Sequence, residues 1–169
     1  MASRAVDLLI AYRVIKLLVT PFNKQEAFKL GIIDEKGTVL RKYRTLAKPK
    51  EKRAYTMLHR FVFKLKRILA KVGIRGALGS IAVSAALLFK ENKELLKHQL
   101  VIESAVITYL KQTNQYDSMI SEDINIPEIQ ETPVYNCFGV DVFEKNGELI
   151  SEYDYDTVSY THLTLPTKA

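Results

Sequence analysis

Between Lys50 and Val72 the chain reads KEKRAYTMLHRFVFKLKRILAKV, and this stretch constrains the fold more than any other. Ala54, Leu58, Phe61, Leu65, Ile68 and Val72 recur at intervals of four and three, which places them in one stripe along a helix. Arg53, Arg60, Lys64, Arg67 and Lys71 fall on the remaining surface, giving an apolar seam and a basic back. Pro49 suits the first turn, where its missing N–H has no intrahelical acceptor. Gly73 follows the last seam residue and suits the left-handed conformation that ends a helix.

Such a helix needs partners for its seam, and the flanking sequence offers them. Residues 4–19 predict a first helix capped by Ser3, with Leu8, Leu9, Tyr12 and Ile15 as candidate core positions. Pro21 bars its continuation. Asn23 and Glu26 have the spacing of a capping box, predicting a short helix ended by Gly31. Residues 31–40, GIIDEKGTVL, predict a short β-hairpin insert turning through Asp34–Gly37, and residues 41–48 a basic connector. Beyond Gly73 the apolar run from Gly76 to Phe89 covers 14 residues, short of the roughly 20 that cross a bilayer as a helix. Its Gly, Ala and Ser content suits close helix approach, so a buried core helix is the expectation, and a peripheral membrane protein using residues 73–89 the alternative. A long helix from about Lys93 to Lys111 follows, with Leu96, Leu100, Ala105, Val106 and Tyr109 as inner positions.

Residues 113–133 are acidic and aperiodic with two prolines, and read as an extended linker. Residues 134–157 alternate about Asn146-Gly147, the strongest short hairpin signal. The fold class is therefore mainly α: a helical domain over 1–112 with a hairpin insert, then a linker and a partial C-terminal hairpin. Residues 158–167, VSYTHLTLPT, resemble the frame translation of a sequencing adapter. Residues 158–169 are accordingly expected to be a non-native tail that carries no functional weight.

The net charge of +6 conceals a division. Residues 1–100 carry 22 Lys and Arg against 7 Asp and Glu, a net +15, while residues 101–169 carry 3 against 12, a net −9. Asymmetry of this kind suits pairing between halves or copies, or a polyanionic partner. It equally suits a solvated helix face beside an acidic segment.

No catalytic constellation accompanies the charge. The single cysteine, Cys137, excludes an internal disulfide framework. His59 and His98 lack metal-ligand spacing to each other or to Cys137, and a thiol nucleophile pairing Cys137 with either has no support beyond the residues' existence. Glycines 73, 76 and 79 match neither the phosphate-binding loop nor the dinucleotide fingerprint. The expectation is a non-enzymatic protein with no cofactor and no metal. Tyr43, Tyr55 and Phe63 among the cations would allow backbone-directed nucleic-acid binding, although no helix-turn-helix, zinc-finger or RNA-recognition pattern is present.

At residues 11–46 (AYRVIKLLVTPFNKQEAFKLGIIDEKGTVLRKYRTL) and 54–69 (AYTMLHRFVFKLKRIL) the chain resembles small virion or prohead-core proteins of T-even-like tailed phages, over roughly its first ninety residues. The resemblance implies a scaffold component around which a major capsid protein assembles, in procapsids formed in the host cytoplasm. Its partners would be copies of itself, other head proteins and a prohead protease, with DNA as a further candidate. It also implies cleavage by a protease that prefers Ile or Leu two residues before Glu. Five such triplets occur where composition alone gives roughly two to three. Three cluster in the acidic linker, at Ile120/Glu122, Ile126/Glu128 and Ile129/Glu131, where extended backbone suits a protease.

Overall fold

A computed structural model describes residues 4–72, 77–117 and 128–155. Among the described residues, seven α-helices precede a three-stranded sheet: α1 (Arg4–Val19), α2 (Glu26–Lys29), α3 (Pro49–Ala54), α4 (Met57–Val72), α5 (Ala77–Glu91), α6 (Lys93–Leu96) and α7 (Gln99–Gln112), then β1 (Tyr135–Cys137), β2 (Val140–Lys145) and β3 (Glu148–Ser151). The mainly α class with a C-terminal hairpin stands. Ser3, Gly73 and the tail from residue 156 lie outside the described residues.

The centre of the fold is α5 rather than the basic helix. Ala77, Gly79, Ile81, Ala82, Ser84, Ala85, Ala86, Leu88 and Phe89 are all buried, so α5 is enclosed on nearly every side. Small side chains make this possible. At Gly79 an added Cβ would come within 2.9 Å of Ser151 Oγ and 3.0 Å of the Tyr153 ring, so the end of β3 rests almost on the helix backbone. Helix α4 packs on another side of α5, and Phe61, Val62 and Leu65 join Phe89, Ile102, Val106 and Val142 in one core. Most of the apolar residues that made a membrane segment conceivable therefore face protein, with Leu87 left exposed, and no helix among the described residues is long and apolar enough to cross a membrane.

The basic helix is broken in two. Its first turn is α3, begun by Pro49, and Tyr55 leaves helical geometry at φ −141°. Thr56 then starts α4 by a capping box in which His59 takes the usual Glu position: Thr56 Oγ1 accepts from the His59 amide at 3.3 Å, and His59 Nδ1 accepts from the Thr56 amide at 3.4 Å. The expected seam holds at Ala54, Phe61 and Leu65, with Leu58 and Ile68 half-buried. Its back is not all solvated. Phe63 is fully buried there, in a second core with Ala27, Ile32, Ile33, Leu46 and Tyr55.

That second core explains residues 20–46. The expected capping box at Asn23 does not form; residues 22–24 make a 3-10 turn, and Gln25 precedes α2 while its side-chain amide donates to the Leu17 and Thr20 carbonyls at 3.2 and 3.1 Å. The hairpin insert reduces to one antiparallel bridge, Ile33 to Val39. Asp34 Oδ1 supplies the turn, accepting from the Lys36 and Thr38 amides at 2.9 and 2.8 Å, and these bonds hold its pKa below the ordinary carboxylate value. Gly37 sits at φ +83° with the Phe22 ring against its α-carbon, where no side chain fits. Too few residues separate this turn from the buried Ile32 and Ile33 to extend the ladder.

The long helix expected over 93–111 is also divided. Asn92 caps α6, accepting from the Glu94 and Leu95 amides. A turn at Lys97 and His98 follows, and His98 Nδ1 meets Asp7 Oδ1 at 2.9 Å, fixing α7 beside α1.

In the sheet β2 is central and antiparallel to both neighbours. The expected Asn146-Gly147 turn forms with φ of +53° and +83°, closing Lys145 onto Glu148. A second turn at Phe138-Gly139, with φ of +54° and +78°, adds β1, which the sequence pattern did not predict. Cys137, Val140 and Val142 enter the main core, so the C-terminal sheet belongs to the helical domain.

Candidate functional site

The cations of the basic stretch do not form one patch. Arg53 lies on α3, beside a groove between α1 and the start of α4 that Arg13, Lys16 and Lys24 also line. Its volume is about 920 Å³, and Ile10, Leu17, Met57 and Leu95 supply apolar surface beneath the charges. Among the described residues Glu26 is the one carboxylate along this groove, and it lies 3.9 Å from Lys50. Arg13, Lys16 and Lys24 were not singled out by sequence reasoning. Their spacing along α1 and beyond Pro21 gives no periodic signal, and only the fold brings them to Arg53.

Arg60, Lys64 and Arg67 occupy α4 further along, at a smaller cleft of about 180 Å³ bounded by Tyr55, Ser84, Leu87, Leu88 and Glu91. Two of the three have structural contacts. Arg67 donates to the Gly37 carbonyl at 2.8 Å, clamping the 34–37 turn onto α4. Arg60 stacks its guanidinium 4.7 Å above the Tyr43 ring, while its buried Nε has no acceptor among the described residues. Lys64 and Lys71 are exposed. Burial raises the Tyr55 phenol above its ordinary pKa, against a downward pull from Arg67 and Arg60.

A fifth α4 cation, Lys66, was not among those predicted. Its ammonium donates to the Thr20 and Leu17 carbonyls at 2.5 and 3.4 Å, at the C-terminal end of α1, and lies 4.4 Å from the Phe22 ring centroid. Cations suit that end of a helix dipole, yet burial depresses the Lys66 pKa to about 8.

The titratable residues weighed for chemistry have structural surroundings. His59 is committed to the α4 cap, and burial followed by the charge of Arg13 lowers its pKa, which keeps the neutral, accepting ring in place. Cys137 is buried, and burial with the nearby Glu103 carboxylate pushes its thiol up to about 12, far from a thiolate nucleophile at neutral pH. Glu103 itself accepts from the Phe138 amide at 3.0 Å and from Gln99 at 2.7 Å, so it anchors the β1–β2 turn to α7. No group of three metal-ligating side chains occurs among the described residues.

Of the predicted processing positions, Ile120, Glu122 and Ile126 lie outside the described residues. Glu128 is exposed and Ile129 half-buried. Glu131 is held: its carboxylate accepts from Lys145 Nζ at 2.5 Å and from the Tyr155 hydroxyl at 2.8 Å, contacts that lower its pKa.

The largest departure from the sequence reading is on α1. Leu8 and Tyr12 are 70% and 61% exposed, and Leu9 is exposed too, whereas Val14 and Leu18 fill the core. Leu8, Tyr12, Ile15 and Val19 follow one another at helical spacing, making a second apolar stripe about a third of a turn from the buried one, with Ile15 at its edge still touching the core. On α7, Leu100 is 80% exposed and lines a shallow groove with Leu8, Ala11 and Ile15. Asp7 and His98 close one end of this face.

Comparison with protein-family models, curated proteins and solved structures finds no match to this chain.

Proposed function

We propose that the protein is a non-enzymatic structural component of a tailed-phage head, acting in the prohead core, and that copies associate through the apolar face shared by α1 and α7. The observation that carries association is the exposure of Leu8, Tyr12 and Leu100 on adjoining helices. Scattered apolar side chains are normal on a surface, but a contiguous stripe with a groove beside it suits a protein partner. The head-assembly assignment itself rests on the resemblance at residues 11–46 and 54–69. Its partners in that reading are further copies, the major capsid protein and the prohead protease, within procapsids in the host cytoplasm. Cleavage after Glu131 would require its release from Lys145 and Tyr155, so the other linker triplets would be cut first.

Co-expression with a cognate major capsid protein and prohead protease tests this directly. The chain should sediment with procapsids, and a Leu8→Glu/Leu100→Glu variant should be lost from them. Recovery of the wild type only in the soluble fraction would overturn the assignment. A second reading, backbone-directed nucleic-acid binding, is favoured by the groove where Arg13, Lys16, Lys24 and Arg53 converge. Retention on heparin that collapses at moderate salt and is weakened by Arg53→Gln would favour it, and indifference to salt would exclude it.

A further inference from the structure

The face shared by α1 and α7 has projections at one end and a recess along the rest. Leu8 and Leu100, the two most exposed large apolar side chains among the described residues, stand at the end closed by Asp7 and His98. From there a groove of about 470 Å³ extends to Ile15 and Thr108. Ala11, Ser104 and the buried Ala105 line its middle, and their small side chains keep it open. Leu100, Ser104 and Thr108 follow one another at intervals of four, so they form one row along α7; Leu8, Ala11 and Ile15 form a matching row along α1. The projecting and recessed ends therefore lie about 5–6 Å to either side of the level of Ala11 and Ser104.

Such a face complements itself. A two-fold axis crossing both helices at the level of Ala11 and Ser104 places Leu8 and Leu100 of one copy over Ile15 and Thr108 of the other, and the reverse. The small residues fall on the axis, where two helices must approach closely. Charge points the same way. Among the described residues Asp7 is the one charged group lining the groove, and its Oδ1 lies 2.9 Å from His98 Nδ1. Two copies of this face meet without like-charge repulsion. The groove between α1 and α4, lined by Arg13, Lys16, Lys24 and Arg53, would repel its own copy.

We propose that the protein forms a closed two-fold dimer in which α1 packs antiparallel on α1 and α7 on α7. Leu8 and Leu100 of each copy fill the far end of the partner's groove. This rests on the association reading above and adds its symmetry. An isologous contact uses up the face and stops at two copies, whereas a head-to-tail contact would go on growing.

Sedimentation velocity combined with cysteine cross-linking of the full chain tests it. The wild type should reach a plateau at two copies. Ser104→Cys, at an exposed position on the axis, should give a disulfide-linked dimer under mild oxidation. Thr108→Cys should give little, because the two copies of that position are separated by about 12 Å along the helices. The wild type serves as the blank, since its Cys137 is buried. Leu100→Ala should raise the dimer Kd about tenfold or more, because each dimer loses two buried Leu side chains. Species that grow past two copies, or equal cross-linking of Ser104→Cys and Thr108→Cys, would overturn the symmetry and leave the association reading standing. A wild type that stays monomeric would overturn both.

Discussion

Helices α1 and α5 are both rich in apolar residues along most of their circumference, yet the fold treats them differently. In α5, glycine, alanine and serine let β3, α4 and the following turn approach from several directions, and nine of its residues are buried. In α1, larger Leu, Ile, Val and Tyr side chains surround the axis, and only Val14 and Leu18 are buried. Small residues allow many neighbours to reach one helix, whereas large ones hold neighbours off and leave a face uncovered. Apolar content alone therefore does not say which helix is central. Side-chain size decides it, and the uncovered face of α1 becomes the surface available to a partner.

The largest test of this contrast lies in α5. Phe89→Ala removes a fully buried ring from the main core and should cost about 3–5 kcal/mol in chemical denaturation. Gly79→Val should cost about 1–3 kcal/mol, because its side chain would meet Ser151 and Tyr153. If Gly79→Val is neutral, the sheet does not rest on α5 as described.

Two smaller effects depend on pH. Lys66 is held near pKa 8 by burial, below its unfolded value near 10.5. Between those values the unfolded chain binds more protons, so stability should rise as pH is raised from about 8 to 10.5. Lys66→Met should flatten that rise without unseating α1, because Gln25 also donates to the Leu17 and Thr20 carbonyls. His59 works at the acid side. Its lowered pKa favours the neutral ring, so its contribution is complete above pH 6.5 and is lost as pH falls through the folded value. His59→Gln keeps a capping residue at the same position and should remove this part of the acid sensitivity, read as the slope of melting temperature between pH 7 and 5.

The smallest effect on folding and the largest on association are expected together. Leu8→Glu with Leu100→Glu alters exposed positions and should change stability by no more than about 0.5 kcal/mol per site.

Much of the architecture was legible in the sequence, and the failures have physical causes. The Asn146-Gly147 turn was predictable because both residues tolerate positive φ, whereas Phe138-Gly139 was hidden by a Phe in the same conformation. The break at Tyr55 was missed because a His rather than a Glu completes the cap begun by Thr56. Wrong core positions on α1 followed from its two apolar stripes, since periodicity cannot choose between faces that are both apolar. The cations of α4 were correctly placed off the main seam. Their division into a clamp at Arg67, a stack at Arg60 and a half-buried Lys66 depends on the 20–46 segment covering that surface, which no local pattern encodes.

Sedimentation velocity over a concentration series, comparing the wild type with Leu8→Glu/Leu100→Glu, tests the central claim most directly. The wild type should shift to larger species as concentration rises, and the variant should stay monomeric with an unchanged melting temperature. A wild type that remains monomeric throughout, or a variant that associates equally well, would contradict a partner surface on α1 and α7.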